Sequence, residues 1–227
     1  MQRTRILGLA LVATMAIAAV AAASALAAAP EFKPASGTLT VKSGTGKLEV
    51  KGATFGITCK SDKGSGSITG AKTSTFTVDF EGCTTLGGLV KCNSKGDAAG
   101  IILTGGAADL TTSLGSTVLL FLTSPKETIV ECVGVTITIL GASEGTKNNG
   151  LVCPVTPIAK KVKTTEHYTA TCATTSKGVN KFTKAVPPGG GAEVTYILEA
   201  KEGSGSYEQA SEETTEEISN SVESEIT

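Results

Sequence analysis

The sequence predicts an all-β fold: one antiparallel β-sandwich or barrel, stapled by disulfides and exported behind a cleaved signal peptide. Three observations carry this expectation. Short runs with period-two alternation recur along the chain, Gly-, Asn- and Pro-rich clusters separate them, and six cysteines follow an N-terminal secretory pattern in a chain of 227 residues.

The leader comes first. Met1 to Arg5 carries two positive charges, Ile6 to Ala23 is an uncharged Ala-, Leu- and Val-rich run, and Ala25-Leu26-Ala27 ends it with small residues. A signal peptidase accommodates small side chains at those positions, so residues 1–27 read as a signal peptide cut after Ala27. The expected destination is secreted or cell-envelope associated. All six cysteines, Cys59, Cys83, Cys92, Cys132, Cys153 and Cys172, lie beyond the leader. An even set in an exported chain reads as disulfides, because the compartment is oxidising. There is no C-x-x-C, and a single His167 cannot complete a Cys/His zinc set of ordinary spacing. Strand adjacency favours Cys83–Cys92, Cys59–Cys132 and Cys153–Cys172.

Residues 28–36 form an Ala/Pro lead-in. From Gly37, Leu39 and Val41 share a face; a turn at Ser43-Gly44-Thr45-Gly46 follows, then Leu48 and Val50 share another. Phe55, Ile57 and Cys59 keep the period, as do Phe76, Val78 and Phe80, with Thr75, Thr77 and Asp79 opposite. Further strands are expected at 101–104, 117–123, 128–132, 133–140, 167–172 and 193–200. Thr and Val are stiff at χ1 and suit a pleated, half-buried surface, so their abundance supports strands. Residues 107–114 could form a turn or two of helix. No fixed-period repeat occurs, and residues 37–201 read as one β domain.

Charge divides the chain. Residues 28–201 hold 18 Lys against 13 Asp plus Glu, whereas 202–227 holds eight Glu and no Lys. The formal net charge of −1 hides that opposition. Ile218, Val222 and Ile226 recur every four residues, which suits a helix face or one face of a strand. The segment 202–227 reads as a solvated acidic tail, with a closing edge strand near 223–227 and a short helix as alternatives.

Gly141-Ala142-Ser143-Glu144-Gly145 matches G-x-S-x-G, but a turn follows where a helix is needed, and the last Asp in the chain is Asp109. Only Glu144 and Glu166 could orient a base, so Ser143 reads as a turn residue. Carboxylate pairs for glycoside chemistry would come from Asp62, Asp79, Glu81, Asp97, Asp109, Glu127, Glu131 or Glu166. Asp79 and Glu81 share a strand face, the exposed one. His167 alternates with Tyr168 and reads as solvent-facing. Gly44-Thr45-Gly46-Lys47 lacks phosphate-loop spacing, and Lys160, Lys161 and Lys163 read as a solvated edge. Arg3 and Arg5 are the only arginines, which argues against a nucleic-acid partner. No catalytic, cofactor or metal residue is assigned.

Gly56-Ile57-Thr58-Cys59, Gly66-Ser67-Ile68-Thr69-Gly70 and Phe76-Thr77-Val78-Asp79-Phe80-Glu81-Gly82-Cys83, continued by Cys92, Ala99-Gly100-Ile101 and Cys132, carry a resemblance. They are similar to a group of uncharacterised secreted, cysteine-containing β-rich proteins of soil actinobacteria. The resemblance implies secretion and a β-rich fold, and it supports pairing Cys153 with Cys172, which lie outside its pattern. It implies no activity.

The expected function is a non-catalytic binding or structural role, with a cell-envelope polymer, a protein or a small apolar ligand as partner. One alternative is a secreted hydrolase using scattered carboxylates or Ser143. The other is a protease inhibitor presenting the Cys83–Cys92 loop and its Lys91.

Overall fold

The computed structural model describes residues 29–227 except 55, 124–125 and 143–147, so the expected leader and Ser143 lie outside the described residues. In chain order the strands are β1 (Phe32–Lys33), β2 (Gly37–Ser43), β3 (Gly46–Val50), β4 (Gly56–Cys59), β5 (Ser61–Ile68), β6 (Thr73–Glu81) and β7 (Thr84–Thr85). They continue as β8 (Val90–Ser94), β9 (Ile101–Ser113), β10 (Ser116–Thr123), β11 (Thr128–Cys132), β12 (Val135–Ile139), β13 (Leu151–Thr156) and β14 (Tyr168–Cys172). The last are β15 (Thr174–Ser176), β16 (Val179–Asn180), β17 (Lys184–Ala185), β18 (Val194–Thr195), β19 (Leu198–Glu202), β20 (Glu208–Asn220) and β21 (Glu225–Ile226).

The sheet closes on itself as an antiparallel eight-stranded barrel. β14, β13, β10, β9, β6, β5, β2 and β20 pair in that order, and β20 returns to β14. A second tier continues the tube: β19, β12, β11, β8, β7, β4 and β3 follow round, and β19 and β3 both pair with the first half of β20. Strands run through both tiers. Ser43 faces Glu216 and Lys47 faces Glu213, so β2 and β3 are one long strand with a single extra residue between them. The turn expected at Ser43-Gly44-Thr45-Gly46 is therefore a bulge, which bends a strand without reversing it. Closure demands tight coiling between neighbours. Gly66 and Gly106 permit it, since an added Cβ would lie 2.0 Å from the carbonyl oxygens of Thr75 and Leu122, respectively.

The acidic segment 202–227 is not a tail, and the domain boundary placed at residue 201 is wrong. β20 is the seam of the barrel, and β21 pairs with β1 of the expected lead-in. Ala210, Glu212, Thr214, Glu216 and Ile218 alternate toward the interior, while Glu213 and Glu217 face out. Across the seam the outward glutamates lie opposite Lys47 and Lys42 of the basic body, and Lys42 reaches Glu217 at 3.0 Å. Opposite charges on facing strands are mutually favourable, so the charge division of the sequence matches one strand pairing.

The helix considered for 107–114 is also absent. Those residues finish β9, which pairs along its length with β6 and β10. A strand bonded on both edges satisfies every backbone group, which outweighs the local helix preference of Ala.

Two of the three expected disulfides are corrected. The bonds are Cys59–Cys83, Cys92–Cys132 and Cys153–Cys172. Cys83 and Cys92 do lie opposite each other on the β7–β8 hairpin, and the Cys92 N–H donates to the Cys83 carbonyl at 3.0 Å. A hydrogen-bonded pair holds its Cα atoms farther apart than a non-hydrogen-bonded one. Each cysteine therefore bonds on its other edge, Cys83 to β4 and Cys92 to β11, at Cα separations of 3.9 and 4.2 Å.

Two cores fill the tube. The upper one contains all six cysteines with Val50, Ile57, Val130, Ile137 and Leu198. The lower one contains Leu39, Val41, Val78, Leu110, Leu119, Val155 and Ile218, closed beneath by Phe32 and Ile226 of β1 and β21. Outside the wall, Ala185 and Tyr196 of the excursion between β14 and β19 cover Val118, Leu120 and Val152.

Candidate functional site

The interior is not filled evenly. Three hollows of about 60, 60 and 30 Å³ follow one another along the axis. Their walls are apolar: Leu48, Ile57, Ile102 and Leu198 around the first, Val41, Val78 and Leu151 around the second, and Leu39, Leu119 and Val155 around the third. The first and second share Phe80, Thr104, Thr123 and Glu212. The second and third share Phe76 and Phe121, whose rings meet edge to face with centroids 5.5 Å apart.

Three carboxyl groups gather beside these hollows: Glu212 lines the first two, Glu216 the second, and Asp62 lies behind Glu216. Alternation along β20 puts Glu212 and Glu216 on the inner face, and Asp62 projects from β5 on the other side of β2. Asp62 and Glu216 are 4% and 6% exposed. Glu212 is half-buried, and the surface it keeps borders the two hollows. Ser43 donates its hydroxyl to Asp62 Oδ2, and the Thr214 hydroxyl donates to Glu216 Oε1 at 3.0 Å. The remaining oxygens, Asp62 Oδ1 and Glu216 Oε2, receive no hydrogen bond from any other group among the described residues, and the Thr123 hydroxyl has no partner among them either. The two carboxyls meet each other, an arrangement that holds only with a proton between them.

Burial sets the protonation of this cluster, because an uncompensated charge in an apolar wall is costly. Burial, then the Asp62 and Glu212 charges, pushes Glu216 up to about 8. Burial and the Asp62 charge push Glu212 up to about 7. Asp62 is raised by burial, against the opposing hydrogen bond from Ser43. Near neutral pH the cluster therefore carries protons that ordinary carboxylates would have lost.

Of the carboxylates considered from the sequence, only Asp62 reaches the interior. Glu81 lies on the outer face and pairs with Lys63 at 2.5 Å. Asp109 is buried on the outer side of β9 beneath Tyr196, where burial raises it. Asp97, Glu127 and Glu131 are exposed and apart. Glu166 accepts the Lys163 N–H at 3.0 Å, which lowers its carboxyl. His167 is exposed, with Glu217 at 3.9 Å. Lys160, Lys161 and Lys163 are solvated, Lys161 lying 3.6 Å from Glu223. The 83–92 segment is a hairpin tip tied to its neighbours on both sides, not a loop closed by its own disulfide, and Lys91 on it is exposed.

Glu212 and Glu216 escaped the sequence reading. Their signal was the period-two series Glu212, Thr214, Glu216, Ile218, masked by the density of acid around it.

Comparison with protein-family models, curated proteins and solved structures gave no match. The functional reading rests on the barrel.

Proposed function

We propose that this is a secreted or cell-surface binding protein without catalysis, whose barrel interior takes a small, slim apolar ligand. The observation that carries the proposal is the line of adjoining apolar hollows inside the barrel. Protein cores seldom leave voids larger than a water molecule, and small barrels commonly hold one ligand inside. Each hollow is smaller than the roughly 150 Å³ cavity that accommodates benzene. An unbranched chain reaching from one hollow to the next fits better than a ring. The three disulfides fit an oxidising, extracellular setting.

Titration with hexanol, followed by the methyl resonances of Val41, Leu151 and Ile218, tests the proposal. Saturable shifts at these methyls are expected, and they should vanish in Thr123→Phe, which fills the junction of the first two hollows. No saturable shift, or one that survives the filling, would overturn it.

A further inference from the structure

Resting on that reading, we propose that the ligand carries an amine head, which the barrel holds at Asp62, Glu212 and Glu216 with its chain in the adjoining hollows. Asp62 Oδ1 and Glu216 Oε2 receive no hydrogen bond from any other group among the described residues, each on a side chain more than nine-tenths buried, and the two carboxyls have only the proton they share. Buried acceptors left this way are costly, and a shared proton answers only the demand between these two. An ammonium brings three donors to one point and a charge opposite to the cluster.

Among the described residues no protein cation supplies that charge. Lys42 and Lys47 point outward from β2 and β3, where they pair with Glu217 and Glu49. Glu81 on the outer face of β6 adds only negative charge near Asp62. Glu199 and Lys201 lie on the outer face of β19, opposite Leu198 and Ala200. Tyr168 of β14 faces inward, but its hydroxyl is engaged with Ser224 at 3.1 Å. The second hollow, which both glutamates line, continues past Phe76 and Phe121 toward the third and gives a linear chain an apolar path away from the acids.

A carboxylate head would meet like charge at this point, and a hydroxyl head would bring one donor and no charge. The amine arrives as an ammonium, takes the place of the shared proton, and that proton leaves for solvent.

Isothermal titration of the intact, oxidised protein with hexylamine, hexanol and hexanoate at neutral pH tests the inference. The runs are repeated in two buffers of different ionisation enthalpy. Hexylamine is expected to bind about tenfold more tightly than hexanol, with hexanoate weakest, and to release protons on binding. In Asp62→Asn combined with Glu216→Gln, the affinity ratio of hexylamine to hexanol should fall to about one; a melting curve checks that the variant is folded. The wild-type comparison and the proton count stand even if that variant fails to fold. Hexanol binding with no advantage for the amine would overturn this inference and leave the apolar site intact. Failure of all three probes to bind would overturn the site itself.

Discussion

In the lower tier of the barrel most wall strands are long, with thirteen residues in β9, nine in β6, eight each in β5 and β10 and seven in β2, while β13 and β14 have six and five. In the upper tier β4 has four residues, β7 two, and β8, β11, β12 and β19 five each. The lower core contains no cysteine and the upper core contains all six, although Cys153–Cys172 joins β13 and β14, the two shortest strands of the lower tier. Where ladders are long enough to pack aliphatic side chains several layers deep, packing suffices. Where they are short, cross-strand bonds substitute. Chain-entropy reasoning assigns roughly 3 to 4 kcal/mol to each of the three disulfides, as an upper bound. β20 belongs to both tiers, and its acids sit where the two regimes meet.

The contrast can be broken most completely at that shared strand. Ending the chain after Lys201 removes the seam of both tiers, and the product should show no cooperative thermal transition by circular dichroism. A truncated protein that melts like the full chain would show that the tiers do not depend on β20. Next in size is Leu110→Ala in the lower core, expected to cost about 2–5 kcal/mol in denaturant unfolding, the range for a truncated buried leucine. Of similar size is Cys92→Ser with Cys132→Ser, at roughly 3–4 kcal/mol. Hydrogen exchange should sharpen the difference: amides of β8 and β11 lose protection in the cysteine variant, while those of β6, β9 and β10 keep theirs.

The acids at the junction make stability depend on pH. Glu212 and Glu216 bind protons more tightly in the folded chain than in the unfolded one, so their contribution is full below about 4.5 and is lost as pH rises through about 7 and 8. The melting temperature should fall between pH 5 and pH 9. Glu216→Gln should flatten that decline, and an unchanged profile in the variant would place the titration elsewhere. The smallest effect is expected on the outside. Lys42→Ala removes a solvent-exposed ion pair and should leave the melting temperature unchanged within error.

The all-β class was legible from the alternation at Leu39, Val41 and at Phe76, Val78, Phe80, and from the glycine-rich breaks between runs. Closure was not, because it depends on which strand returns to which edge, and the returning strand looked like a solvated tail. Local composition misled there: Glu213 and Glu217 read as solvent-seeking, yet they lie opposite lysines some 170 residues earlier in the chain. The disulfide errors have a similar origin. Hairpin proximity placed Cys83 beside Cys92, but which edge a cysteine can bridge is set by backbone hydrogen bonding that spacing does not reveal. The interior cluster stayed hidden because Asp62 acquires its companions only when β20 is laid against β2.

Native-state hydrogen exchange on peptides covering 208–220 tests the central claim, that the acidic segment is the inward-facing seam of the barrel. These amides should exchange among the slowest in the molecule, alongside those of β9 and β10. Exchange at the rate of an unstructured chain would contradict the account, since neither the closed tube nor its interior acids could then exist.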